Sequence, residues 1–528
     1  MVFKLFLQIM SITSMQGFEF IVIFVLISLL LIVPTQVTAV SLSPTNLNAE
    51  DSAETTPCIQ YESDQNLIKV RCKSIHLTDI YRKINNPSIL GIENASSGMI
   101  SSVNDRKVWI LDAGLVVEKE GSLIIDSSDT SWLKITATPT LQLKPISDKD
   151  TNKGNSTYDS NKDTVISEDS QNVKGKKTIV VSKHNGDNPN GIHVHGSLKI
   201  DSVKITSWDL EKNDVIKLAL GKRAGEEHTK SDYDTAEPRA FIRISKQATG
   251  TTDITNSEVA YLGYSCSRCS GLSYYGGEGS IIEGNNIHHL LKGFYSKSAR
   301  NLVINANKFH DNYLYGIDPH TGSHHLVITN NLVYNNNASG IICSKDCYNL
   351  LIEGNEVYNN SGAARGIAFS INTTNSVAKN NYVHDQPRCI SFNRESNHNV
   401  VYNNTISNCK IGVYLANTGN NSIYNNEISG SENAIFTQNI GNKIYNNKIS
   451  QSKNGIVFEP VVLSNHTNEA ITANSYTTNE TNKTYLINTL DKNHILDTKN
   501  PMVMKQTPSN SSIEIEPNEK NSTAEPDI

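Results

Sequence analysis

Residues 315–341 read YGIDPHTGSHHLVITNNLVYNNNASGI. The stretch holds one full period of a repeat. Tyr315-Gly316-Ile317 at its start is answered by Ser339-Gly340-Ile341 at its end, and Asn331 lies between them. Outward from here, one column of small residues runs through Gly271, Gly293, Gly316, Gly340, Gly366, Cys389, Gly412, Ala434 and Gly455. A second column is Asn286, Asn307, Asn331, Asn355, Asn381, Asn404, Asn426 and Asn447. Both advance in steps of 21–26 residues, in concert, which chance rarely produces.

A period of that length, rich in Gly, Asn and β-branched residues, predicts an all-β chain folded as a right-handed parallel β-helix. Leucine-rich repeats share the length, but their Leu-x-x-Leu-x-Leu pattern is missing. Gly and Asn tolerate the left-handed backbone that corners require. Stacked asparagines can bond along the axis as a ladder. Each coil buries little alone, and stacking makes the core continuous.

Strand alternation assigns the faces. After each column residue the first and third positions are apolar: Ile317 and Pro319, Ile341 and Cys343, Ile367 and Phe369, Val413 and Leu415. These point inward, so the second and fourth positions point out. The second-position row holds Tyr295, Asp318, Ile342, Ala368, Ser391 and Tyr414; the fourth holds Tyr275, Lys297, His320, Ser344, Ser370 and Asn393. Lys345 and Arg394 follow at the strand ends. Asp318 and His320 therefore share one outer face, with Lys297 about 4.8 Å away along the axis. Taken singly, these are ordinary surface charges and a polar turn. In register, they form a face of cations, aromatics, one Asp and one His, suited to an extended anionic polysaccharide.

The remaining chain sets the frame. Its 528 residues carry 47 basic and 53 acidic side chains, net −6, with no basic stripe, so nucleic acid is not an expected partner. An apolar run, Ile21 to Val33, followed by Pro34 and Ala39, makes residues 1–39 a signal peptide or membrane anchor. Either exports the rest to the cell exterior or surface. Eight cysteines fit that compartment, with Cys58 and Cys72 as the local pair expected in an N-terminal region, 40–107. Cys266-x-x-Cys269 reads as structural. Sequons such as Asn372-Thr373-Thr374 allow glycosylation. The β-helix is expected over 108–460, with polar insertions near 147–176 and 221–237, a cap over 461–502 and a disordered tail over 503–528. A monomer is expected.

The motif Tyr315-Gly316-Ile317-Asp318-Pro319-His320 resembles that of the mannuronan C5-epimerases, the alginate-modifying right-handed β-helix enzymes. The resemblance extends through Pro238-Arg239-Ala240-Phe241-Ile242, Ser257-Glu258-Val259-Ala260-Tyr261-Leu262-Gly263-Tyr264, Gly271-Leu272-Ser273, Gly293-Phe294-Tyr295-Ser296 and Ser339-Gly340-Ile341-Ile342. It is specific over about 200–350 and generic to about 460. It implies a β-1,4-linked uronate polymer as substrate and proton transfer at C5. His320 would be the base, Tyr315 the partner acid (their order reversible), and Asp318 an orienting or binding residue. Lys297, Lys345 and Arg394 would neutralise the substrate carboxylate, and Tyr295 and Tyr275 would flank it. Lys345 stands where close relatives carry Arg, and Thr321 where an acidic residue is common. No glycine-rich nonapeptides follow, so no calcium modules are expected. No metal ligand set or cofactor is named. A β-eliminative lyase on the same scaffold shares the first step. A non-catalytic, polysaccharide-binding surface β-helix is the alternative outside enzymology.

Overall fold

The computed structural model describes residues 57–93, 106–137, 190–218, 238–265, 268–361, 365–438, 441–459, 475–477, 484–486, 489–491 and 493–504. The chain winds as a parallel β-helix. Each coil adds one short strand to each of three sheets, as in Ile317–His320, Val327–Thr329 and Leu332–Tyr334. Register runs evenly from coil to coil in two of the sheets: Val303, Val327 and Leu351 stack in one, and Lys308, Leu332 and Glu356 in another. In the first sheet it shifts by one residue between Gly271 and Ser273, which pair with Lys292 and Tyr295.

The sequence dictates this by placing one inward Ile, Val, Leu or Phe at the centre of nearly every three-residue strand. Ile304, Ile328 and Ile352, or Phe309, Val333 and Val357, are essentially fully buried in one core running from Ile59 to Ile456. Each such side chain contributes roughly 1.5–3 kcal/mol of burial. Left-handed corners go to residues such as Asn330, Asn335, Asn380 and Asn403. Only Gly271 of the column glycines has the positive φ expected, and for Gly293, Gly316, Gly340, Gly366 and Gly412 the cause is different. Gly316 is not left-handed. A Cβ there would come within 2.7 Å of the Gly340 carbonyl oxygen and 2.6 Å of Val333, so the column is small because adjacent coils approach closely.

The asparagine ladder forms, with one correction: its first member is Asn285, not Asn286. The Asn285 backbone N–H donates to Asn307 Oδ1, and the pattern repeats through Asn331, Asn355, Asn381, Asn404, Asn426, Asn447 and Asn493. Two further ladders, Asn312–Asn336–Asn360 and Asn399–Asn421–Asn442, line other corners.

The solenoid reaches beyond 108–460. Leu67–Val70 already pairs in parallel with Gly114–Val117, and Asn500–Met504 extends the same sheet past Asn454–Phe458. The helix Leu77–Ile84 buries Leu77 and Ile80 against the first strands, and the expected Cys58–Cys72 disulfide ties that end. The segment 1–39, the insertions 147–176 and 221–237, and the tail from 505 lie outside the described residues.

Candidate active site on the outer face of the first sheet

Strand Ile317–His320 lies between Lys292–Lys297 and Ile341–Cys343. Its register places Tyr295 beside Asp318 and Lys297 beside His320. The second-position row was expected to face solvent, yet Asp318 is 0% and Tyr295 6% exposed. Side chains on the outer face cover them. Asp318 Oδ1 accepts from Ser344 Oγ at 2.6 Å, and Oδ2 lies 3.2 Å from the Lys292 ammonium. Lys292 also sits 4.2 Å from the Tyr295 ring centroid and 5.8 Å from that of Tyr315. A carboxylate removed from water in this way requires such partners.

His320 is partly exposed and tilts against Tyr295, ring centroids 5.7 Å apart. Thr321 takes up its Nδ1: the backbone N–H approaches at 2.9 Å and Oγ1 at 2.6 Å. The threonine can serve either tautomer, its hydroxyl accepting Nδ1–H and its N–H donating to a bare Nδ1.

The structure sorts the predicted cations. Lys297 stands beside His320 in register. Lys345 is half exposed, and its paired charge is Asp346, 4.0 Å away. The disulfide Cys343–Cys347 closes the turn bearing Ser344 and Lys345. Arg394 occupies a left-handed position beyond strand Arg388–Phe392. Tyr275 lies 6.0 Å from Tyr295, with Arg268 at 5.9 Å from its ring.

Lys292, the cation in contact with Asp318, was missed by the sequence reading. It belongs to a third outward row, the residue just before each column position: Lys292, Tyr315, Ser339, Arg365 and Arg388. Arg365 and Arg388 pair in register, and Arg388 lies 4.1 Å over Tyr414. That row was legible as a column of its own. Upstream on the same sheet, Arg243 lies in register with His193, its Nη2 2.7 Å from His193 Nδ1. Burial, then Arg243 and His195, push the His193 imidazole down to about 3, so it accepts this bond as a neutral ring.

A small second core supports the site from the side: Leu218, Phe241, Tyr264, Cys269 and Leu291, with Tyr313 and Leu314 packed against it. Within it Arg239 is fully buried, donating to the carbonyls of Gly263, Leu262 and His289 at 2.7, 2.8 and 2.9 Å. Burial lowers its guanidinium to about 9. These bonds anchor the turn that leads into Lys292.

The family profile described as periplasmic copper-binding protein (NosD) matches residues 244–440 and 390–507, together half of the chain. The chain belongs to that family. Among solved structures it is similar to the periplasmic alginate epimerase AlgG, at 16% identity over 82% of this chain and 85% of that one, with a TM-score of 0.54. A single-site variant of AlgG gives 0.55 at the same identity and coverage. The A-module of the mannuronan C-5 epimerase AlgE4 from Azotobacter vinelandii is 12% identical over 74% of this chain and 91% of that module, with a TM-score of 0.33. No curated protein matches the chain in sequence. At these identities the likeness to AlgG is one of fold, and it extends along most of both chains.

Proposed function

We propose that the chain acts on an anionic polysaccharide lying along the outer face of the first sheet, and that it inverts C5 of uronate residues within the polymer. The reaction would convert β-D-mannuronate to α-L-guluronate. The observation that carries this reading is the strand Ile317–His320. It presents a buried carboxylate, held by Lys292 and Ser344, two residues from an imidazole whose Nδ1 is already engaged.

The C5 proton of a uronate is weakly acidic because removing it builds an enediolate on an already negative carboxylate. A nearby cation is needed to hold that charge. Lys292 is best placed: one N–H is spent on Asp318, and the ammonium has two more. Lys297, beside His320, is the second candidate. His320 Nε2 takes the C5 proton while the electron pair moves into the carboxylate. The Tyr315 hydroxyl returns a proton to C5 from the opposite face, and the roles exchange for the other epimer. Tyr275 offers apolar ring surface to the sugars, and the buried Tyr295 backs His320 and Lys292 from beneath. Asp318 fixes Lys292.

Copper enters through the family description. The residues around Asp318 and His320 do not fit such a centre: the carboxylate is taken by Lys292 and Ser344, one imidazole remains, and the Cys343 and Cys347 sulfurs are joined to each other. The reaction is therefore derived without it. A location outside the cytoplasm is supported by the disulfides Cys58–Cys72, Cys343–Cys347 and Cys389–Cys409. The description of the family and of AlgG as periplasmic points the same way.

The test is product analysis after incubation with polymannuronate. Proton NMR should show guluronate signals at constant chain length. Unsaturated chain ends absorbing in the ultraviolet would instead make the protein a lyase. Binding without either product, unchanged by His320→Ala, would make it a scaffold.

A further inference from the structure

Strand Ile317–His320 pairs with Lys292–Lys297 at four positions but with Ile341–Cys343 at one, Ile317 opposite Ile341. Proline is the cause. Ile317 N–H donates to the Gly340 carbonyl, so the next bond of that ladder, two residues on, falls to the nitrogen of Pro319, which has no proton. Inside a sheet, a proline breaks the ladder. Here the break comes between Asp318 and His320.

The chain above the break is held in other ways. Ser344 N–H donates to the Pro319 carbonyl at 3.0 Å, and Ser344 Oγ donates to Asp318 at 2.6 Å. In neighbouring coils the corner that follows this sheet closes by a hydrogen bond between residues three apart. Ser323 Oγ donates to the His320 carbonyl and Thr373 Oγ1 to that of Ser370, both at 2.7 Å, and Ser396 N–H donates to that of Asn393 at 3.3 Å. Cys347 stands between Ser323 and Thr373 in the same column, since the residues that follow, His324, Tyr348 and Thr374, are bridged coil to coil. It is as buried as they are, at 0%. Instead of a hydroxyl bond to residue 344, it carries a covalent bond to Cys343, the inward residue just before Ser344. The coil whose ladder Pro319 interrupts therefore has a covalent corner.

We propose that the disulfide Cys343–Cys347 is a positioning device for catalysis. It stands in for the hydrogen bond that Pro319 removes and keeps the Ser344 hydroxyl on Asp318. Asp318 in turn keeps Lys292 at the substrate carboxylate. This role presupposes the C5 chemistry proposed above. The two cysteines point inward and touch no substrate; they act through Ser344. Loop length favours local positioning over global stability. The stabilisation from a crosslink grows with the loop it closes, and this one joins residues 4 apart, against 14 for Cys58–Cys72 and 20 for Cys389–Cys409.

The experiment measures tritium exchange at C5 of polymannuronate by the full chain. Cys343→Val with Cys347→Ser keeps an apolar residue inward and returns the corner hydroxyl of the neighbouring coils, so the circular dichroism should be unchanged. Its kcat should fall about 10–100-fold while KM stays within about two-fold. Ser344→Ala with the cysteines intact should lose a similar factor. The triple variant should lose no more than the larger of the two, because the bridge acts through that hydroxyl. Amide hydrogen exchange reads the bridge without the reaction. The Ser344 amide should exchange about ten-fold faster or more in the cysteine variant, with the Ile317 amide unchanged. Pro319→Ala, which returns the missing N–H, should slow it again. An unfolded cysteine variant, one as active as wild type, losses that multiply in the triple variant, or an unchanged Ser344 amide would overturn the proposal. A wild type without C5 exchange would overturn the C5 reading, and the hold of the bridge on Ser344 would then stand or fall by the amide.

Discussion

The residues at the centre of the face divide into those whose chemistry was readable from the motif and one that was not. Asp318, His320 and Tyr315 are named from the six-residue stretch, but alternation places Asp318 in solvent and the structure buries it. Lys292 is not, because the sequence reading followed positions after the column glycine and the lysine stands before it. Its place against Asp318 comes from the strand running outward on both sides of Gly293. This yields a direct comparison of lysines. Lys292→Met should lower kcat/KM on polymannuronate by about 100-fold or more, the scale of losing a preorganised charge. Lys345→Met, removing a half-exposed side chain facing Asp346, should stay within a few-fold of wild type. Equal losses in the two variants would return the neutralising role to the strand-end cations.

At the scale of elements, corners hold the coils as much as strands do. Asn355 shows why: its amide donates to Ile328 and Glu353 carbonyls and to Asn381 Oδ1, while its Oδ1 accepts twice from Asn331. Asn355→Ala would strand several buried groups, each costing about 1–3 kcal/mol, so the melting temperature should fall by several degrees or more. The column of asparagines was visible in the sequence because stacking demands one residue type at one spacing. Its first member was misplaced by one residue because Asn285 and Asn286 are adjacent, and only the hydrogen bonds distinguish them. The buried Arg239 could not be recognised as structural from its neighbours in sequence, since its acceptors are carbonyls up to 50 residues away. Arg239→Met should destabilise the fold by roughly 3 kcal/mol or more in urea unfolding, because these carbonyls lose a charged donor. A variant as stable as wild type would show that water replaces the guanidinium.

Over the whole molecule the period fixed the architecture, since 21–26 residues per coil with two columns in step leaves few alternatives. The limits of the solenoid were less legible, because its first and last strands lack the columns and join through pairing alone. Long-range burial also sets the response to acid. Unfolded, His193 titrates near 6.5; folded, near 3. Between those values the unfolded chain binds the proton more tightly. The contribution of neutral His193 is therefore intact above 6.5 and lost as pH falls toward 3, by up to ~1.4 kcal/mol per pH unit. Urea midpoints from pH 7 to 4 should fall more steeply in wild type than in His193→Gln; identical slopes would contradict this. The central claim, proton transfer at C5 on the outer face, is tested most directly by incubating polymannuronate with the protein in tritiated water and counting tritium at C5. The wild type should incorporate label and His320→Ala should not. Incorporation by both, or by neither, would contradict it.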